Sequence, residues 1–234
     1  MTRTSGLPVS RNTLARQVHE LLRRQIFDGT LRPGERLVES EIANAVGTSR
    51  GPVREAIAML QRGGLVRSDP FVGASIIDLD NREIVEIYSL RSVLEGYAAS
   101  LAVQRRTPEE LGELRKITSR MREAKGPRSV ARLRALDAEF HGTLVQLAGD
   151  EQLWQAWERL RTRIALYHST VESAFRDGGE LARMHDLLID ALQGDDADVT
   201  ERRVRAQLIA NGHEWTAKGR WPRAADVAGA SVRG

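Results

Sequence analysis

Two arginines four residues apart, Arg50 and Arg54, stand at the front of a short apolar-periodic stretch, a spacing that puts both guanidiniums on one helix face. A guanidinium forks toward phosphate oxygens and the guanine edge, so the pair suits nucleic acid; the plainer alternative is a solvated face pairing with Glu55 or Glu39. Far downstream, Asp137 and His141 are also four apart, beside Leu133, Phe140 and Leu144, so a carboxylate and an imidazole project together toward an interior. His185 has a similar inward setting among Leu181, Met184 and Leu188. One carboxylate and two imidazoles form an N/O donor set for a divalent metal such as Zn, Ni, Mn or Fe. The plainer reading of the Asp–His pair is an ordinary hydrogen bond. Arg91 interrupts the apolar stripe Ile84, Ile87, Leu94, Ala98 and Leu101. An arginine facing a bundle interior needs an anion, supplied by Glu95, by another internal carboxylate or by a bound ligand.

Arg50 and Arg54 require a rigid mount, and the surrounding residues describe one. A first short helix buries Ile42, Ala43 and Val46 and ends at Gly47, which tolerates the left-handed conformation of a sharp turn. Thr48 and Ser49 offer an N-cap, Pro52 falls in the next helix's first turn, and Val53, Ile57 and Leu60 face the core. Gly63-Gly64 stops that helix, and Leu65 to Ser68 and Ala74 to Asp78 read as a two-stranded wing closed around Gly73. Beyond the wing the chain reads as helix after helix. Asp80 with Glu83, and Thr107-Pro108 with Glu110, have capping-box spacing, so helices start near 81 and 108. Four more fit 128–148, 151–176, 180–193 and 197–216, separated by glycine-containing breaks. Residues 1–10 and 217–234 lack periodicity and read as mobile tails.

The segments PGERL (33–37), GTSRGPVREAI (47–57) and GGLV (63–66), with Gly73, resemble the winged helix-turn-helix of the GntR family of bacterial transcription regulators, over residues 11–78 without a gap. The resemblance implies that Arg50 and Arg54, with Thr48 and Ser49 ahead of them, meet DNA, and that Gly73 approaches the minor groove; Ser40 stands where many relatives carry an arginine. LRSVLEGYAASLA (90–102), DAEFH (137–141), MHDLLIDALQGDD (184–196) and RVRAQL (203–208) resemble the FCD ligand-binding domain of one large GntR subfamily. That implies a metal held by Asp137, His141 and His185, with the fourth ligand position filled by Gln207, whose carbonyl oxygen is a poorer ligand than the usual imidazole. It also implies that Arg91 meets the carboxylate of a small organic acid, with Arg134, Arg163 and His168 as candidates for the pocket wall.

Composition agrees with a two-domain regulator. The chain has 234 residues, 41% of them hydrophobic, and no apolar run near the ~20 residues of a membrane span. The polar start MTRTSGLPVSRN lacks the apolar core of a signal peptide, and the absence of cysteine removes disulfides and thiolate metal sites, as expected of a cytoplasmic protein. The net charge of +3 lies wholly in residues 1–79, which hold 11 arginines against 8 carboxylates. The expected architecture is therefore mainly α: a winged helix-turn-helix of three helices and a two-stranded wing over 11–78, then a six-helix FCD-type bundle over 79–216. The expected function is a homodimeric repressor, not an enzyme, that binds double-stranded operator DNA and answers to a small carboxylate effector, with or without the help of a metal, and has no membrane partner. The alternatives are a pure metal sensor and a metal-dependent hydrolase built on Asp137, His141 and His185.

Overall fold

The computed structural model describes residues 10–71, 73–126, 129–170, 175 and 177–218. The expected tails lie outside these residues, except for Ser10, which opens the first helix, and Ala217 and Lys218, which close the last. The chain divides into two compact units at Asp78 and Leu79.

In the first unit, α1 (Ser10–Asp28) buries Ala15, Val18, Leu22 and Ile26 at steps of three and four and packs on α3 (Arg50–Arg62). Helix α3 turns Val53, Ala56, Ile57 and Leu60 into the same core. The intervening α2 (Glu39–Val46) closes on Gly47 at φ 67°, and the Thr48 N–H reaches back to the Ala43 carbonyl at 2.9 Å. Ala43 is buried as expected, whereas Ile42 and Val46 are only half-buried. Ser49 occupies the N-cap of α3 with extended backbone, but its side chain makes no capping hydrogen bond, which corrects the expected hydroxyl cap.

The wing is β2 (Val66–Asp69) paired antiparallel with β3 (Gly73–Ile76), and a third strand, β1 (Arg36–Leu37), extends the sheet in the order β1-β3-β2. This added strand has a local cause. Gly34, at φ 79°, turns the chain so that its N–H meets the Ile76 carbonyl and the Glu35 carbonyl accepts from Ile76 N–H at 2.9 Å.

The second unit is all-helical: α4 (Asn81–Val103), α5 (Pro108–Glu123), α6 (Ser129–Gln146), α7 (Glu151–Thr170), α8 (Gly178–Leu192) and α9 (Ala197–Lys218). Both expected capping boxes form, Asp80 with Glu83 and Thr107 with Glu110. Helix α6 ends two residues before the expected limit, and α8 begins two before its own because Asp177 caps it, accepting from Gly179 and Glu180 N–H. Residues 171–174 and 176 of the expected 151–176 helix lie outside the described ones. Helix α4 is the axis, in contact with α6, α7, α8 and, most extensively, α9. Small residues permit that approach: a Cβ at Gly212 would stand 2.7 Å from Cβ of Tyr88, and one at Gly96 would overlap the Arg205 side chain.

A close backbone approach lies at the start of α8, where a Cβ on Gly178 would overlap the Met121 carbonyl oxygen at the end of α5. Gly178→Ala should therefore lower stability by ~1–3 kcal/mol. A thermal or urea melt unchanged from the wild type would contradict this packing.

Candidate metal centre and nucleic-acid interface

Asp137 and His141 lie one turn apart on α6, and His185 comes from α8; all are buried, and one donor atom of each lies within 4.8 Å of the others. His185 Nε2 is 3.1 Å from His141 Nε2 and 3.2 Å from Asp137 Oδ1, which is 3.7 Å from His141 Nε2. The remaining ring nitrogens settle the tautomers. His185 Nδ1 is 2.8 Å from the Leu181 carbonyl, which can only accept, and His141 Nδ1 is 2.7 Å from Glu95 Oε2. Each imidazole thus carries its proton on Nδ1 and turns the Nε2 lone pair inward. Asp137 Oδ1 is buried and accepts no hydrogen bond. Two lone pairs and a carboxylate oxygen aimed at one another in a buried place form a donor set that fits a divalent cation, with Nδ1 partners of the kind that orient metal-ligating histidines.

Glu95 on α4 organises this shell. Its carboxylate is fully buried and accepts from Arg91 Nε at 2.7 Å, Trp157 Nε1 at 2.8 Å and His141 Nδ1 at 2.7 Å. Burial works to raise its pKa, but Arg91 and His141 outweigh that and bring it down to about 2. Burial, aided by Arg91, lowers His141, and burial pushes His168 down to about 3, so both rings are neutral.

Arg91 is buried on the inner face of α4, as its stripe position requires, and it takes the ion-pair option with Glu95. Its guanidinium also lies over the Tyr88 ring, 5.3 Å from the centroid. His168, on α7, is buried beside the cluster rather than at a surface. Its Nδ1 faces Asp137 Oδ2 at 3.5 Å and its Nε2 meets the Tyr88 hydroxyl at 2.7 Å. Burial raises the Tyr88 pKa, so the hydroxyl stays protonated and donates to Nε2, leaving the Nδ1 proton toward Asp137. Arg134 NH2 donates to the Ser169 carbonyl and its guanidinium sits over Phe175, so it braces the end of α7. Arg163 is exposed. Gln207 is half-buried on α9, with its amide nitrogen on Asn211 Oδ1 at 3.0 Å. Sequence reasoning considered Glu95 only as a partner for Arg91 and did not single out Tyr88 or Trp157. Tyr88, Arg91 and Glu95 share one face at steps of three and four, a signal available on α4; Trp157 had none.

In the first unit Arg50 opens α3 and is exposed, and Arg54 is exposed one turn on. The structure adopts the Glu39 pairing for Arg54, with Nε and NH2 donating at 3.1–3.3 Å, and these bonds raise the Arg54 pKa further. An exposed pair of this kind is weak, so an incoming phosphate or base can exchange with Glu39. Thr48 is half-buried, Ser49 is exposed, and Gly73 opens β3 at φ 90°, with Arg36 NH2 3.7 Å from where its Cβ would be.

A three-helix head with a small wing, followed by a helical bundle with a buried polar cluster, defines a transcription regulator with a DNA-reading part and a separate sensing part. Two family models match: bacterial regulatory proteins, gntR family, over residues 14–76, and FCD domain over residues 86–210. The chain is 32% identical over 211 residues to a probable D-xylose utilization operon transcriptional repressor of Paenarthrobacter nicotinovorans, covering 88% of this chain and 92% of that one. It is 29% identical over 194 residues to an uncharacterized HTH-type transcriptional regulator, YdhC, of Bacillus subtilis, covering 82% and 86%. The solved structure of Escherichia coli McbR/YncC aligns with a TM-score of 0.67 at 25% identity, over 87% of this chain and 97% of that one. The chain belongs to the GntR family and carries an FCD domain; it is a DNA-binding transcription regulator, in a family of regulators rather than enzymes.

The buried cluster makes stability depend on pH in one direction. His141 and His168 have folded pKa values below the ordinary 6.5, and Glu95 lies at about 2 against 4.5, so in each case the unfolded chain binds protons first. Stability is thus full above about 6.5 and is lost as pH falls toward the folded values. In the presence of a chelator, the melting temperature should drop steadily between pH 7 and pH 4. A flat profile over that window would contradict the buried, neutral assignment.

Proposed function

We propose that this regulator is a repressor whose hold on its operator is set by a small organic acid bound in the helical unit, residues 79–216, with a divalent metal ion held by Asp137, His141 and His185. The observation that carries this reading is the convergence of two imidazole lone pairs and the unbonded Asp137 Oδ1 in a buried place. Bound there, a metal ion would supply a fixed positive charge and coordination positions for an anion. The protein's residues do the rest: Glu95 and the Leu181 carbonyl fix the two ring orientations, and His168 stands on the second Asp137 oxygen. Gln207, whose amide nitrogen is bonded to Asn211, has only its carbonyl oxygen to offer as the weak fourth ligand, so metal loading depends mainly on the other three. An effector carboxylate that reaches Arg91 shares its guanidinium with Glu95, which gives the ligand a route to disturb α4. Residues 11–78, with Arg50 and Arg54 at the front of α3, are the DNA-reading part, in which Thr48, Ser49 and Gly73 border the duplex.

We place the protein in the cytoplasm, where its DNA is; among the described residues no helix is long and apolar enough to cross a membrane. We also propose that it acts as a homodimer, because two winged heads related by a twofold axis read a palindrome that one head is too small to select. The exposed Leu90, Val93 and Tyr97, at steps of three and four on α4, support a covered face there.

Arg54→Ala should weaken binding to the operator roughly ten- to hundredfold if the arginine reads a base. Equal affinity of the folded variant and the wild type in a gel-shift titration would remove Arg54 from the interface. For the helical unit, His141→Ala should abolish stoichiometric Zn, Ni or Mn measured by elemental analysis, and with it the metal-dependent thermal shift. Metal content unaffected by His141→Ala would place the ion elsewhere. Operator release by the metal alone, with no organic acid needed, would recast the protein as a metal sensor.

A further inference from the structure

Tyr88 is buried, and neighbours on α4, α7 and α9 fix the place of its ring. The Arg91 guanidinium lies over the ring, and the Tyr167 ring meets it edge-on with centroids 6.3 Å apart. Helix α9 comes so close that a Cβ on Gly212 would stand 2.8 Å from Tyr88 Cγ. A ring enclosed in this way keeps one position, so the hydroxyl at its end is a donor fixed in space. It meets His168 Nε2 at 2.7 Å.

The other side of the His168 ring faces the candidate metal centre. Its Nδ1 is 3.5 Å from Asp137 Oδ2, and because a carboxylate only accepts, the ring proton belongs on Nδ1. That tautomer needs a donor at Nε2, which a tyrosine hydroxyl supplies and a phenyl ring does not. Asp137 is therefore approached from two directions. The His168 N–H is directed at Oδ2, while the Nε2 atoms of His141 and His185 lie 3.7 and 3.2 Å from Oδ1. With Oδ2 engaged, Oδ1 is the oxygen that the carboxylate offers to the two imidazoles. His141, the other candidate ligand on α6, is oriented by Glu95, which shares a face of α4 with Tyr88.

We propose that Tyr88 is a positioning residue for the metal: through His168 it fixes the tautomer that holds Asp137 Oδ2 and leaves Oδ1 for the ion. This rests on the reading of Asp137, His141 and His185 as the metal ligands. Helix α4 then braces both ligands of α6, His141 through Glu95 and Asp137 through the His168 ring of α7. Neither Tyr88 nor His168 is itself a ligand in this arrangement, since one nitrogen of the His168 ring carries a proton toward Asp137 and the other is taken by the hydroxyl. Outer partners of this kind strengthen metal binding by orienting the groups that touch the ion.

The test is the metal affinity of the full chain, measured for zinc, nickel and manganese by competition with a chromogenic chelator. Tyr88→Phe removes one oxygen and keeps the ring, and it should weaken binding by about ten- to hundredfold. His168→Leu should do the same. His168→Asn sets an amide N–H near the place of Nδ1 without need of the hydroxyl, so it should bind metal nearly as the wild type does, and adding Tyr88→Phe to it should cause no further loss. That last comparison separates positioning from packing, because a merely structural Tyr88 would weaken binding in both backgrounds. Wild-type affinity in Tyr88→Phe, or an equal loss in the His168→Asn background, would overturn the positioning role and leave the three-ligand reading intact. If Tyr88→Phe does not fold, His168→Leu against His168→Asn decides, and equal losses in those two overturn the inference. A wild type that takes up none of the three metals would overturn both.

Discussion

The helical unit depends on one buried carboxylate. Glu95 is fully enclosed, and three elements send it a donor: Arg91 from its own helix, Trp157 from α7 and His141 from α6. A buried charge without such partners is too costly to keep, so the position of each donor is constrained by the same few tenths of an ångström that make its hydrogen bond. This is why α4 can be the axis of the bundle and also carry two buried charges. The pair contributes little as an ion pair against an apolar replacement of the same shape; what it supplies is a single arrangement of α4, α6 and α7.

From Glu95 the order passes outward. His141 is oriented through Nδ1, which directs Nε2 toward His185, and the Leu181 carbonyl does the same for His185 from within α8. Asp137 is bracketed, with His141 and His185 near Oδ1 and His168 near Oδ2, and His168 is held by the Tyr88 hydroxyl on α4. The chain of contacts thus begins and ends on α4. Any group that changes the charge at its centre acts on the helix that packs most extensively against α9, and a low local dielectric keeps that effect strong.

The winged unit follows a different economy. Its core is apolar apart from the buried Ser75, and glycines at the ends of its elements set the angles: Gly47 after α2, Gly64 before β2 and Gly73 at the head of β3 all have positive φ. Polar side chains are left for the outside. Arg54 rests on Glu39 in a pair that water already weakens, and Phe71 stands clear of the sheet. The buried network of one unit favours a unique arrangement; the exposed arginines of the other keep their bonds exchangeable.

Local rules made much of this legible. Capping boxes at Asp80 and Thr107, the left-handed Gly47 and the apolar periodicity of α3 and α4 are properties of a few neighbouring residues, and each was readable from the chain alone. So was the inward projection of Asp137 and His141, since one helix turn joins them. Residues from different helices were harder. Nothing local brings Trp157 to Glu95, or sets His168 on Asp137 rather than at a surface, because such contacts depend on how α4, α6 and α7 cross. The same holds for β1, whose two residues become a strand only when Ile76 is there to bond them, and for the hydroxyl cap expected of Ser49, which does not form. The choice between an internal partner and an incoming anion for Arg91 was also open in the sequence. Tertiary packing supplied the internal partner, since Arg91 and Glu95, both buried one turn apart, satisfy each other's charge.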